Sequence, residues 1–416
     1  MTRRGRDRMR ALLADLGPLR DSEHFRRLWL GDALSSLGGA MTAFALVLQV
    51  YRMTGSSLQV GMIGLVQAGP TLAVVLSGGG LTDRFDRRRL TLATSGILAA
   101  VSALFAVQAF AGGAPLSALY GLAALQAGLW SIDGPARQAM IPRLVGVERV
   151  GAAVALNQLS GWTVGLVAPA VAGLIASAGG LRLCYVIDTV TFAAAVYGLF
   201  RLPAMPPAPR GRAEGRWEGF AFIRRSPVLA AALLADLDAM VLGVPTALFP
   251  AINAERFGGR PETLGLLGTA VALGGLLGSG LSGPAGRVRN PGRAMLVSVS
   301  LWGAGVAGFG LAPAFWPAFA LLAAATAADT TTVVFRAVTV QAAVPEEIRG
   351  RVTTIDYLVG VVGVPLGKFR SGLVARLGSP TIGVVSGGAA VMIGALLIRW
   401  RFPAVTADDD GPSGRD

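Results

Sequence analysis

The stretch Gly79-Gly-Leu-Thr-Asp-Arg-Phe-Asp-Arg-Arg-Arg89 decides how this chain is read. It joins two apolar runs, residues 57–81 and 90–111. Each is long enough to cross a ~30 Å hydrocarbon core at ~1.5 Å per residue. Asp83, Asp86 and the arginines at 84, 87, 88 and 89 cannot lie in hydrocarbon, so a tight turn at a membrane face is predicted. A short basic loop marks the cytoplasmic side of a membrane protein. The glycines at 78, 79 and 80 let one helix end approach another closely.

Outward from this turn, further apolar runs fall at 28–50, 116–133, 151–177, 183–201, 227–250, 261–284, 293–312, 314–335, 353–376 and 380–399. With the first two they make twelve spans. The loops between them alternate in charge. Those holding Arg84 to Arg89, Arg137 to Arg149, Arg201 to Arg225, Arg287 to Arg293 and Arg336 to Arg351 are basic. Residues 111–117 and 312–316 carry no charge. This alternation predicts that both termini are cytoplasmic.

Composition agrees with a membrane protein. The chain has 416 residues, 53% of them hydrophobic and 15% charged, where a soluble protein carries about 25% charged residues. Mean hydropathy is +0.59. The single Cys184 excludes a disulfide framework, and the single His24 excludes a histidine metal cluster. The net charge of +13 could suggest a nucleic-acid partner. The arginines, however, sit between apolar runs and not on one polar domain, which excludes that class. Basic over more than twenty residues, the start does not read as a cleaved signal peptide. No G-x-x-x-x-G-K-[ST] phosphate loop and no catalytic set of side chains occurs, so neither ATP, a cofactor, a metal nor an enzyme activity is expected.

The halves repeat each other. Gln138-Ala-Met-Ile-Pro142 recurs as Gln341-Ala-Ala-Val-Pro345, 203 residues later. Gly61-Met-Ile-Gly64 is echoed by Gly265-Leu-Leu-Gly268, and Pro169 by Pro365. Two halves in the same orientation imply a parallel repeat about an axis along the membrane normal, with substrate near the midplane between them. The expected organisation is a basic segment 1–27, a six-helix half 28–201, a linker 202–226, a second half 227–400 and a tail 401–416. Within the linker, Trp217, Phe220 and Ile223 at helical spacing predict an amphipathic interfacial helix.

The loop at 79–89 resembles the signature loop of the major facilitator superfamily, G-x-L-a-D-r-x-G-r-r between helices 2 and 3. Gly79, Leu81, Asp83, Arg84, Arg87 and Arg88 match, while Asp86 replaces the second glycine and Thr82 the small apolar residue. The resemblance implies an all-α fold of twelve transmembrane helices in two six-helix halves. It also implies a gate in which Asp83 faces the start of helix 11, near Thr353 and Thr354, and Arg87 pairs with Asp133. In span five, Gly161, Gly165, Pro169 and Gly173 recur every fourth residue and form a packing stripe. Pro169 and Gly173 match the glycine-proline motif of exporters, with Ala168 and Ala172 in place of glycines.

Three further stretches, Phe25-Arg-Arg-Leu-Trp-Leu-Gly31, Gly134-Pro-Ala-Arg-Gln-Ala139 and residues 341–352, resemble the superfamily branch of enterobactin exporters and drug efflux proteins. That branch implies an exporter; with no ATP loop its energy must come from a gradient, so a proton-driven antiporter is expected, a monomer in a bacterial cytoplasmic membrane. Its cargo would be an amphipathic small molecule, a siderophore, drug or other natural product. Uptake by the same fold, a membrane enzyme and a non-transporting membrane protein are the alternatives. Span four departs from many proton antiporters, with Gln126 and Gly128 where an intramembrane arginine is usual.

Ionisable residues inside spans are costly and mark function. Asp32, Asp236, Asp238, Asp329 and Lys368, the only lysine, are therefore the candidates for coupling or the substrate cavity. Asp236 and Asp238 lie ~200° apart around a helix, so only one faces a given cavity. Lys368 is expected to pair with a carboxylate of span seven or ten. Asp32 reads as reaching water or Arg26 and Arg27. Asp188 reads as structural, beside Arg182, and Arg370 as snorkelling outward.

Overall fold

The computed structural model describes residues 15–77, 85–206, 216–281 and 288–406. The chain is all-helical, with no strand among the described residues. Eleven described helices are long and apolar enough to cross a membrane. The stretch read as span four, helix Leu116–Gln138, is not among them. Gln126, Asp133 and Arg137 lower its hydropathy.

The chain packs as two compact units. One holds Met1–Leu46 and Ala73–Gly211, the other Val47–Leu72 and Arg212–Asp416. These differ from the expected halves 28–201 and 227–400, because residues 47–72 join the second unit.

The first unit contains α1 (Gly17–Asp21) and most of α2 (Glu23–Thr54). The end of α3 (Ser57–Leu76) follows, then α4 (Arg87–Phe110), α5 (Leu116–Gln138), α6 (Ile141–Val145), α7 (Val150–Gly179) and α8 (Leu181–Phe200). Asp86 caps α4, its carboxylate accepting from the Arg89 amide at 3.0 Å. Gly180, at φ +78°, turns α7 directly into α8, a conformation an L side chain resists. Phe105 stacks on Tyr185 with ring centroids 5.4 Å apart. The Trp29 indole donates to Leu156 O at 3.2 Å, tying α2 to α7. The expected packing stripe of α7 is uneven: Gly173 is buried, but Gly161 is exposed with nothing within 4 Å of an added Cβ.

The second unit contains α9 (Arg216–Arg225), α10 (Pro227–Gly243), α11 (Phe249–Arg256) and α12 (Pro261–Leu281). Beyond them lie α13 (Pro291–Leu311), α14 (Phe315–Ala343), α15 (Glu346–Leu377) and α16 (Pro380–Arg401). Pro245 breaks the run read as span seven, and a 3-10 turn at Thr246–Leu248 leads into α11. The linker helix α9 buries Ile223 against Leu229, Leu233, Val344 and Val352 and leaves Phe220 half exposed.

Helices α13 and α16 meet through Gly303 and Gly388. A Cβ on Gly303 would lie 2.7 Å from Gly388 O. Overpacking of this kind costs about 1–3 kcal/mol, more than the ~0.5–1 kcal/mol of helix propensity that alanine gains over glycine. Gly303→Ala is therefore expected to lower the melting midpoint of the purified protein. Gly280→Ala, where a Cβ meets nothing within 4 Å, should leave it level or raised. Equal responses would refute the packing account.

Candidate functional site: two arginine-centred carboxylate clusters

In the first unit the cluster grows from one helical turn. Asp133 and Arg137 are four apart on α5, so their side chains meet: Arg137 Nε donates to Asp133 Oδ2 at 2.5 Å. From α4, Thr94 donates to Asp133 Oδ1 at 2.5 Å and Ser95 to the same oxygen at 3.0 Å. Arg137 Nη2 donates to Ser95 Oγ at 2.8 Å. Asp133 is wholly buried and Arg137 nearly so. Charge-assisted bonds of this kind are about twice as strong as neutral ones and fix both side chains. On the open side, Asp32 of α2 lies 3.5 Å from Arg137 Nη1, its side chain 36% exposed. One guanidinium thus faces two carboxylates, one held tightly and one loosely.

The second unit repeats the theme with different helices. Asp236 on α10 stands 204 residues after Asp32. Its Oδ2 is 3.0 Å from Nη1 of Arg336 on α14. The same guanidinium pairs with Asp356 of α15. Asp236 and Arg336 are buried, and Asp356 is partly open. Two carboxylates therefore share one arginine. Loss of one carboxylate would not leave the cation bare. Asp329, seven residues before Arg336, lies on the same face of α14.

These pairings correct several expectations. Asp133 is held by Arg137 and not by Arg87. Arg87 Nη1 donates to Ala139 O at 2.8 Å and its amide to Met205 O at 3.0 Å. Arg88 caps the end of α8 at Phe200 O, 2.6 Å away. Gly79, Leu81, Asp83 and Arg84 lie outside the described residues. The helix that Asp83 is expected to face begins at Glu346 and not near Thr353. Asp32 reaches Arg137, and neither Arg26 nor Arg27 pairs with it among the described residues. Asp188 is not beside Arg182 but buried, accepting from Thr42 Oγ1 and Ser102 Oγ at 2.7 Å each. Arg370 turns inward, donating to Leu242 O at 2.8 Å where α10 breaks.

Lys368 makes no ion pair with Asp236, Asp238 or Asp329 among the described residues. The helix explains why: Lys368 is twelve residues beyond Asp356 on α15, ~18 Å along the axis. Its stem instead runs past Gly64 of α3, whose added Cβ would lie 3.2 Å from Lys368 Cδ. Asp238 points away from Asp236, toward Gly394 of α16. Three residues were missed by sequence reasoning: Arg137, Arg336 and Asp356. The charge pattern alone assigns the two arginines to loops. Arg336, however, follows its span with no turn-forming residue between them, and α5 absorbs Gly134 and Pro135 before reaching Arg137.

A family model described as transmembrane secretion effector matches residues 13–415. Enterobactin exporter EntS of Shigella boydii serotype 18 is 27% identical over 416 residues, covering 95% of this chain and 98% of the relative. The protein of the same name from Escherichia coli O139:H28 has the same identity and coverage. Among solved structures, nucleoside transporter NupG superposes with a TM-score of 0.71 at 14% identity, covering 92% of this chain and 99% of that one. A bacterial homologue of iron transporter ferroportin gives 0.68 at 16% identity, covering 90% and 97%. At such identities the structural likeness speaks for the fold alone. With eleven membrane-length helices and a family model spanning nearly its whole length, the protein is a multi-pass transporter of the bacterial inner membrane and not an enzyme. It belongs to the transmembrane secretion effector family of the major facilitator superfamily.

Proposed function

We propose that this transporter is a secondary active exporter, moving a hydrophobic or amphipathic small molecule outward in exchange for protons. The cargo belongs to the siderophore, drug or natural-product kind. Two six-helix halves alternate access, both chain ends lie in the cytoplasm, and the working unit is a monomer. The observation that carries the reading is Arg336 shared between Asp236 and Asp356. A proton taken by Asp236 weakens its hold on the guanidinium, and Asp356 keeps the cation paired meanwhile. Such an exchange biases a two-state equilibrium without leaving a buried charge unpaired. One proton crossing ~100 mV supplies ~2.3 kcal/mol, enough to drive uphill export over many cycles. Arg87, Arg88 and the loop residues Gly79, Leu81, Asp83 and Arg84 are proposed as the cytoplasmic gate, by resemblance to the superfamily. Relatives named enterobactin exporters favour the outward direction.

Everted membrane vesicles test this directly. With an acid interior they are expected to accumulate one member of a panel of dyes, macrolides and catecholate siderophores. A protonophore should abolish that accumulation. Accumulation indifferent to the protonophore would remove proton coupling. Gradient-driven release from preloaded vesicles would make the protein an uptake carrier.

A further inference from the structure

We propose that the cleft between α13 and α16 binds an anionic phospholipid, its phosphate on Arg293 and Arg399 and an acyl chain in the apolar groove beneath. The cleft measures about 390 Å³ and has the two arginines at one end. No carboxylate lines it, and neither guanidinium has an ion pair among the described residues. Both side chains are exposed. Away from the arginines the lining turns apolar: Val297, Leu301 and Leu396 are 51%, 60% and 62% exposed. The lining runs along α13 from Arg293 to Ala304, eleven residues or ~16 Å. That is about half of a ~30 Å hydrocarbon core, the depth of one leaflet. Trp400, 80% exposed beside Arg399, sits where an interfacial aromatic belongs.

The order of these groups matches a lipid standing in its leaflet, head at the arginines and tail along α13. Guanidinium forks bind phosphate bidentately, and basic pockets between membrane helices select anionic headgroups. A zwitterionic lipid brings an ammonium that two arginines repel. The first unit offers an internal contrast. Its cleft between α4 and α8, about 600 Å³, is lined by residues such as Ala103, Phe110 and Val190 and has no charged lining residue.

The test is lipid binding to delipidated full-length protein in detergent, read from the melting midpoint. Phosphatidylglycerol is expected to raise the midpoint saturably and phosphatidylcholine not to. Arg293→Gln combined with Arg399→Gln should weaken apparent phosphatidylglycerol affinity at least tenfold, while Arg376→Gln leaves it unchanged. Leu301→Trp, which fills the groove without touching charge, should also weaken it and guards against a fold defect in the double variant. Equal affinity in the double variant and the wild type would overturn the proposal. So would inorganic phosphate alone reproducing the whole effect, which would mean an anion site without a lipid. A third overturning result concerns the acidic stretch Asp408 to Asp410. If phosphatidylglycerol binds only after all three are changed to Asn, the arginines belong to the chain's own tail.

Discussion

Asp236→Asn is expected to abolish gradient-driven accumulation while leaving downhill counterflow of the same substrate measurable. The substitution keeps the shape of the side chain and one carbonyl oxygen facing Arg336, which lies 3.0 Å from Asp236. What it removes is the ionisable oxygen pair. Proton coupling needs a group that changes charge between the two states of the carrier, and an amide does not. Counterflow needs only the conformational change, with Asp356 still neutralising Arg336. The partner variant behaves differently. Arg336→Gln leaves Asp236 buried with no guanidinium, a change that costs about 3–5 kcal/mol when a buried pair is broken from one side. At ~1.4 kcal/mol per decade, the population of the competent state falls by about two to three and a half orders of magnitude. Arg336→Gln should therefore suppress counterflow as well as coupled transport. Combining it with Asp236→Asn should restore part of the counterflow, because the buried carboxylate is then neutral and only the partly open Asp356 is left without its cation. Coupled accumulation at wild-type level in Asp236→Asn would remove Asp236 from the proton path. Attention would then pass to Asp329, one of the other intramembrane carboxylates, seven residues before Arg336 on α14.

The apolar runs made the membrane helices legible, since a helix that crosses hydrocarbon has little freedom in composition. Loop arginines and the loop at 79–89 pointed to the superfamily for the same reason. The charge clusters were harder to read. Arg137 and Arg336 sit at the ends of apolar runs, where a composition count places a loop. Their helices continue to Gln138 in the first unit and Ala343 in the second. A buried arginine is tolerated there because a carboxylate from one turn away or from a neighbouring helix meets it. Pairing between helices depends on tertiary neighbours that spacing along one chain does not encode. The Asp133 to Arg137 pair, at four residues, was readable in principle; the pair of Asp236 with Arg336 was not. Lys368 failed for a metric reason. Being the only lysine made it conspicuous, but rarity says nothing about depth, and ~18 Å of helix separate it from Asp356.

Asp133→Ala is expected to be the most destabilising single change in the first unit, by about 3–5 kcal/mol. Asp133 is wholly buried and receives three donors, from Thr94, Ser95 and Arg137. Its removal leaves Arg137 in the interior with only Asp32, 3.5 Å away and over a third exposed. A contact that long and that open resembles a surface pair, worth about 0–1 kcal/mol, and does not replace the lost bonds. Asp32→Asn should accordingly cost less than about 1 kcal/mol. Asp133→Leu with Arg137→Met should recover most of the loss, because a buried ion pair replaced by apolar groups of similar volume is often neutral. Denaturation midpoints of the purified protein in mild detergent measure all three. If Asp133→Ala proves no more destabilising than Asp32→Asn, the buried network does not hold α4 to α5. If the double variant is stable yet inactive, the network serves transport and not folding, and the acid of α2 with the arginine of α5 joins the mechanism as the counterpart of Asp236 with Arg336.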